Sequence, residues 1–185
     1  TTFLGANLEY SDFSYECWQA KVQNTSEFAM GGDWTTFLIL GGQWSTQERR
    51  NPRVNFDGTV TPGAGTHPEG DMDRYGLFGQ LEIVWSDKLT IMPGVRVDWT
   101  RLTPGDTVVG GTVLTDKVKD SGVSPKLAAL YNIAPWFGLF GSVARTVRMP
   151  NIDEIFTRSA TRPNNPDLKP EKSDNYEAGF TLSFD

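Results

Sequence analysis

The chain has 185 residues, with 17 lysines and arginines against 23 aspartates and glutamates, for a formal net charge of -6. That balance speaks against a nucleic-acid partner, which needs a clustered basic face. One cysteine, Cys17, leaves no internal disulfide and no thiolate metal site, and one histidine, His67, removes most metal and acid–base chemistry, so no enzyme is expected.

Mean hydropathy is -0.38, the value of a water-soluble chain. Apolar runs such as Phe37-Leu38-Ile39-Leu40 fall far short of the ~18 residues that a membrane helix needs. A membrane β-barrel is compatible with the same value, because its strands alternate apolar outward with polar inward. No basic amino-terminal region with an apolar segment is present, so a signal peptide is expected to have been removed or to lie upstream. Six tryptophans and 19 scattered glycines suit many short strands and turns better than helices.

Period-two alternation predicts strands near 2–10, 15–28, 34–49, 74–86, 88–102, 122–133, 136–148 and 174–184. Trp18 and Phe28 bracket the apolar stripe of the second strand. Trp34 and Trp44 bracket that of the third, with Thr36, Leu38, Leu40 and Gly42 between them. Tyr75 and Trp85 bracket that of the fourth, and Leu89, Ile91, Pro93, Val95, Val97 and Trp99 share one face of the fifth, with Thr90, Met92, Gly94, Arg96 and Asp98 on the other. Ser86-Asp87-Lys88 is long enough only for a hairpin turn. Pro93 removes a ladder hydrogen bond, so a bulge or local irregularity is expected there. Short turns are predicted at 29–33, 86–88 and 133–136, and long loops at 50–73, 103–121 and 149–173, with 11–14 a short connection on the long-loop side. Bacterial outer-membrane barrels alternate short periplasmic turns with long extracellular loops in this way.

Each aromatic pair is ten residues apart, which is ~33 Å of strand at ~3.3 Å per residue. A strand tilt of ~40° brings this to about 25 Å, the height of an outer-membrane barrel's apolar band. Aromatic rings suit the edges of that band because their bodies are apolar while their N–H or O–H groups still reach water. The competing reading is a soluble β-sandwich, whose strands average ~5–6 residues.

Four segments carry a family resemblance: RYGLFGQLEIVWSDKLTIMPGVRVDW (74–99), SGVSPKLAALYNIAPWFGLFGSVARTVRMP (121–150), NIDEIF (151–156) and NNPDLKPEKSDNYEAGF (164–180). They resemble the TonB-dependent outer-membrane receptors, including the F-R-A-P box and the N-P-x-L-x-P-E box of that family. The match is clear over 74–185 and weaker over 15–49. Onto these boxes fall Arg148, Pro150, Glu154, Asn165, Pro166, Leu168, Pro170 and Glu171, for which a mainly structural role is expected. Pro150 ends a strand, Pro166 and Pro170 hold their predecessors extended, and Glu171 is placed to accept backbone hydrogen bonds at the barrel rim.

The resemblance implies an all-β antiparallel transmembrane barrel, of which residues 1–185 are about eight strands out of ~22. The plug domain and carboxy-terminal strands would lie outside this chain, which ends on Asp185 rather than an aromatic. It further implies a Gram-negative outer-membrane location and a scarce nutrient as cargo, such as a ferric siderophore, haem or cobalamin. No resident cofactor is implied. The partners would be outer-membrane lipid, the small-molecule ligand and the TonB complex, reached through the plug. Gln80, Glu82, Arg96 and Asp98 would face the lumen, and Trp18, Phe28, Trp34, Trp44, Tyr75, Trp85 and Trp99 would form the membrane girdle.

Haem receptors of the family carry a histidine between the two boxes. Here that loop, NIDEIFTRSATRPN, has none, and the first box reads Val147-Arg148-Met149-Pro150. His67, Arg158 and Arg162 are the candidates for substrate contact, the arginines suiting an anionic chelate. Glu69, Asp71 and Asp73 are a loop cluster with either a Ca²⁺ or a plain solvated reading, and no metal site is assigned. The alternative function is a small passive or structural outer-membrane barrel, or an assembly component, without TonB coupling.

Overall fold

The computed structural model describes residues 10–61, 67–105, 108–109, 112–113, 117–156 and 165–183. Seven long strands carry the fold: β1 (Ser14–Gly31), β2 (Trp34–Arg50), β3 (Gly70–Trp85), β4 (Leu89–Pro104), β5 (Val118–Ala134), β6 (Phe137–Arg148) and β7 (Glu171–Leu182). Each pairs antiparallel with its neighbours in sequence, so the sheet is a meander in chain order. Among the described residues β1 and β7 pair on one side only, and the sheet does not close on itself.

The predicted strand near 2–10 lies almost wholly outside the described residues. Tyr10–Ser11, at its end, pairs with Arg53–Val54 rather than with the main sheet. The other seven predicted strands are present with shifted ends. β3 begins at Gly70 and β5 at Val118, several residues before the apolar alternation starts. Pairing continues there because Met72, Leu102 and Val118 stand opposite one another and are buried, which alternation at the lipid-sized stripe does not reveal.

All three short turns lie at one end of the sheet. The middle one is held tightly: Ser86 and Asp87 both take positive φ, 46° and 53°, and Lys88 N donates to Trp85 O at 2.8 Å. Two consecutive left-handed residues match the twist of a hairpin. Its neighbours secure it, since Ser86 N donates to Asp33 O at 2.9 Å and the Asn132 side-chain amide donates to Asp87 O at 2.8 Å.

The two prolines in strand interiors, Pro93 and Pro125, leave their mark. Next to Pro93, the β3–β4 ladder loses the pairs between Gln80↔Gly94 and Ile83↔Ile91, with the register the same on either side. The irregularity is therefore an interruption and not a bulge. The β5–β6 ladder ends at Lys126↔Ala144, beside Pro125. Just beyond it the Ser124 hydroxyl accepts the Val147 N–H at 3.2 Å, replacing the missing ladder bond. Ladder pairing between β5 and β6 stops here, while Val147 and Met149 still pack over Gly122.

The only substantial apolar core among the described residues sits at the long-loop end. A four-residue helical turn, α1 (Ile152–Ile155), follows β6. Its Ile152 and Ile155, with Phe156, pack on Met72, Leu102 and Val118, and Leu168 adds to the cluster. Asn151 caps α1 reciprocally: its side chain accepts Glu154 N at 3.0 Å, and Glu154 accepts Asn151 N at 2.9 Å.

Candidate functional site

Register sorts the side chains into two faces of opposite character. On one face Trp44, Tyr75 and Trp99 are direct cross-strand partners. Ten residues nearer the short turns, Trp34 and Trp85 are partners and stack at 5.8 Å. Between these rows the same face carries Leu38, Leu40, Leu77, Leu81, Ile83 and Val95, with Leu77 58% exposed. Trp18 and Phe28 belong to this face too, each displaced by two residues toward the long-loop end, beside Thr46 and Thr36. A soluble domain seldom leaves so broad an apolar surface bare.

The opposite face is polar. Gln80, Glu82, Arg96 and Asp98 all lie on it, together with Gln43, Ser45 and Arg74. Arg96 forks onto Asp98 through 2.6–2.9 Å contacts. The Arg96 guanidinium also lies 5.9 Å from the Phe78 ring centroid, and Lys21 lies 5.3 Å from it. Gly76 faces Asp98, and a Cβ there would sit inside the Arg96–Asp98 fork, so the pair depends on that glycine. Arg74, Arg96, Asp98 and Arg148 line a groove of about 370 Å³ on this face, next to Cys17 and Gln19. The Arg74 Nε is buried there without a hydrogen-bond partner.

The two sequence boxes meet at the long-loop end through Arg148. This arginine bonds both Glu154 oxygens at 2.9 Å and reaches Glu171 at 2.7 and 2.8 Å. Glu171, for which backbone donors are expected, accepts from the Arg148 guanidinium. The charge match across the β6–β7 pair explains this, since Arg148 and Glu171 are direct partners. Asn165 N donates to Ile155 O at 2.9 Å, and Leu168 N to Asn165 O at 3.1 Å, tying the second box to α1. Pro150 is buried between β6 and the cap of α1, while Pro166 and Pro170 flank Leu168 in the segment that leads into β7.

α1 also reaches across the polar face. Arg49, at the end of β2, bonds Asp153 at 2.7 Å, and His67 Nδ1 stands 3.9 Å from the same carboxylate. Phe13 meets the His67 ring edge-on at 6.0 Å and lies 5.4 Å from the Arg49 guanidinium. Arg158 and Arg162 lie outside the described residues. Glu69 accepts Asn51 N at 2.6 Å and Asp71 pairs with Arg50 at 3.0 Å, so both carboxylates are engaged by protein groups. Among the described residues no group of three metal-ligating side chains occurs. Arg49–Asp153 and Arg145–Asp174 were not legible in the sequence, because the first joins residues 104 positions apart and the second depends on β6–β7 register.

The profile of the family described as "TonB dependent receptor-like, beta-barrel" matches residues 2–185, and the chain belongs to this family. Among solved structures it is similar to the hemophore receptor HasR of Serratia marcescens, a double mutant in complex with its hemophore HasA and heme, with 21% identity, 93% of this chain and 30% of that one covered, and a TM-score of 0.75. It is similar to the copper transporter OprC, at 18% identity over 95% of this chain and 28% of that one, with a TM-score of 0.75. The unliganded ferric citrate transporter FecA gives 16% identity over 96% and 26%, with a TM-score of 0.68. The chain thus spans less than a third of each. A comparison with curated protein sequences returned no match. The family sits in the Gram-negative outer membrane.

Proposed function

We propose that this chain is a wall section of an outer-membrane receptor that imports a scarce nutrient, such as a ferric siderophore or haem, with energy delivered through TonB. The observation that carries the reading is the pairing of two aromatic rows around a bare apolar face with a polar opposite face on the same strands, in a chain of this family. On this reading the aromatic rows are the membrane girdle and the short turns are periplasmic. The polar face with Gln80, Glu82, Arg96 and Asp98 lines the lumen, where a plug domain would supply water and partners for the charges. Among the described residues the outer edges of β1 and β7 carry no partner strand, which supports continuation of the sheet into a barrel of ~22 strands.

The solved relatives carry names that refer to heme, copper and ferric citrate, so they support an uptake role without selecting a cargo. Arg148, Glu154 and Glu171 act in this proposal as the brace of the outer rim rather than as substrate contacts. His67 is the one imidazole of this section; it stands beside Asp153 at the long-loop end, and in this reading it is the section's candidate contact for a haem iron.

The test is uptake of radiolabelled iron chelates and of haem by cells producing the intact receptor, with and without TonB. Uptake of one of these that disappears with TonB supports the proposal. Permeation of small solutes that ignores TonB would favour the passive-barrel alternative. Haem as cargo predicts a Soret band that shifts in His67→Ala.

A further inference from the structure

A groove of about 710 Å³ opens on the apolar side at the long-loop end, lined by Trp99, Lys119, Ser121, Lys169, Pro170 and Lys172. It lies beyond the last β5–β6 ladder pair, between β5 and the start of β7. Alternation places Lys119 and Ser121 on the same face as Trp99, since Ser121 is Trp99's cross-strand partner. Lys172, at the start of β7, lines the same groove as Trp99, Lys119 and Ser121. All three lysines are exposed, in a chain whose net charge is -6. Asp174, two residues along β7 on Lys172's face, is committed to Arg145 through bonds of 2.7 and 2.9 Å. Asp120, which also borders the groove, belongs by alternation to the polar face.

Depth gives this cluster its meaning. Trp99 belongs to the aromatic row that also holds Trp44 and Tyr75, and such rows mark the boundary between hydrocarbon and headgroups. Lys119 stands one pair further out than Ser121, beside Arg101. On the other side of the row, Val97 and Val123 are cross-strand partners and Val123 is 52% exposed. One molecule therefore meets apolar side chains, an indole and then a set of ammonium groups in that order.

We propose that this groove binds the phosphate of an outer-leaflet lipid headgroup, with Lys119, Lys169 and Lys172 as its cationic ligands, Trp99 as its floor and the acyl chains lying over Val97 and Val123. The site is separate from the polar face and any cargo. It rests on the same assignment of the apolar face to lipid.

Native mass spectrometry of the intact receptor in neutral detergent tests it, with phosphatidic acid, phosphatidylcholine and inorganic phosphate as probes. Wild type is expected to retain phosphatidic acid in preference to phosphatidylcholine. Each Lys→Gln change should weaken this about fivefold, as expected for one basic residue at an anionic surface. The combined K119Q, K169Q and K172Q variant should lose the preference, while K119R, K169R and K172R keep it. Unchanged retention by the triple glutamine variant overturns the proposal, and so does inorganic phosphate binding as tightly as phosphatidic acid, which would mean a free-anion site. Flotation with phosphatidylcholine vesicles is read on the same proteins. A wild type that fails to float refutes the membrane face itself, whereas one that floats but shows no phosphatidic acid preference refutes only the headgroup site.

Discussion

Arg148 and Glu171 face each other as partners at the long-loop ends of β6 and β7, joined through guanidinium contacts of 2.7 and 2.8 Å. The same guanidinium grips Glu154 in the cap of α1. One side chain thus fastens the segment after β6 to the strand that receives it. Arg148→Ala should make the segment between Met149 and Pro170 markedly more sensitive to limited proteolysis while leaving the sheet intact. Arg148→Lys should recover little, because a point-like ammonium cannot fork onto two carboxylates. Equal protease resistance in wild type and alanine variant would refute the bracing role.

Ile155 is fully buried against the Met72, Leu102 and Val118 cluster. Truncating a buried isoleucine to alanine typically costs about 2–5 kcal/mol. Because this core fixes α1 on the sheet, Ile155→Ala should raise hydrogen exchange at the α1 amides and leave exchange in the β2–β3 ladder unchanged.

Leu81 and Gln80 are adjacent in β3 but point to opposite faces. Leu81 is the partner of Leu38, between the two aromatic rows. An arginine on the lipid face near the bilayer midplane costs about 2–4 kcal/mol. Leu81→Arg should therefore lower stability by that amount in urea unfolding from lipid vesicles, and Gln80→Arg should change it little. Matching costs for the two would reverse or abolish the face assignment.

Asp87 holds φ at 53° in the turn between β3 and β4. A left-handed residue with a Cβ costs roughly 1–2 kcal/mol, offset in part by the extra chain entropy that glycine loses on folding. Asp87→Gly should stabilise the protein by about 0.5–1 kcal/mol net in the same unfolding assay, with Asp87→Ala on the opposite side of wild type.

Alternation along a strand is a local property, set by two residues per repeat, so the sequence by itself determined that these segments are strands, which side chains share a face and where the long and short connections fall. Trp34 with Trp44 and Tyr75 with Trp85 could be read that way, and so could Arg96 with Asp98. Registration between strands is not local. Only the tertiary structure decided that Trp44, Tyr75 and Trp99 form one row, or that Pro93 interrupts a ladder without adding a residue. The same holds for side chains brought together from distant positions: Arg49 with Asp153, Arg148 with Glu171, and Lys119 with Lys172. Their meeting depends on backbone pairing accumulated over several strands, and each pair is separated by loops whose composition carries no record of the register they permit.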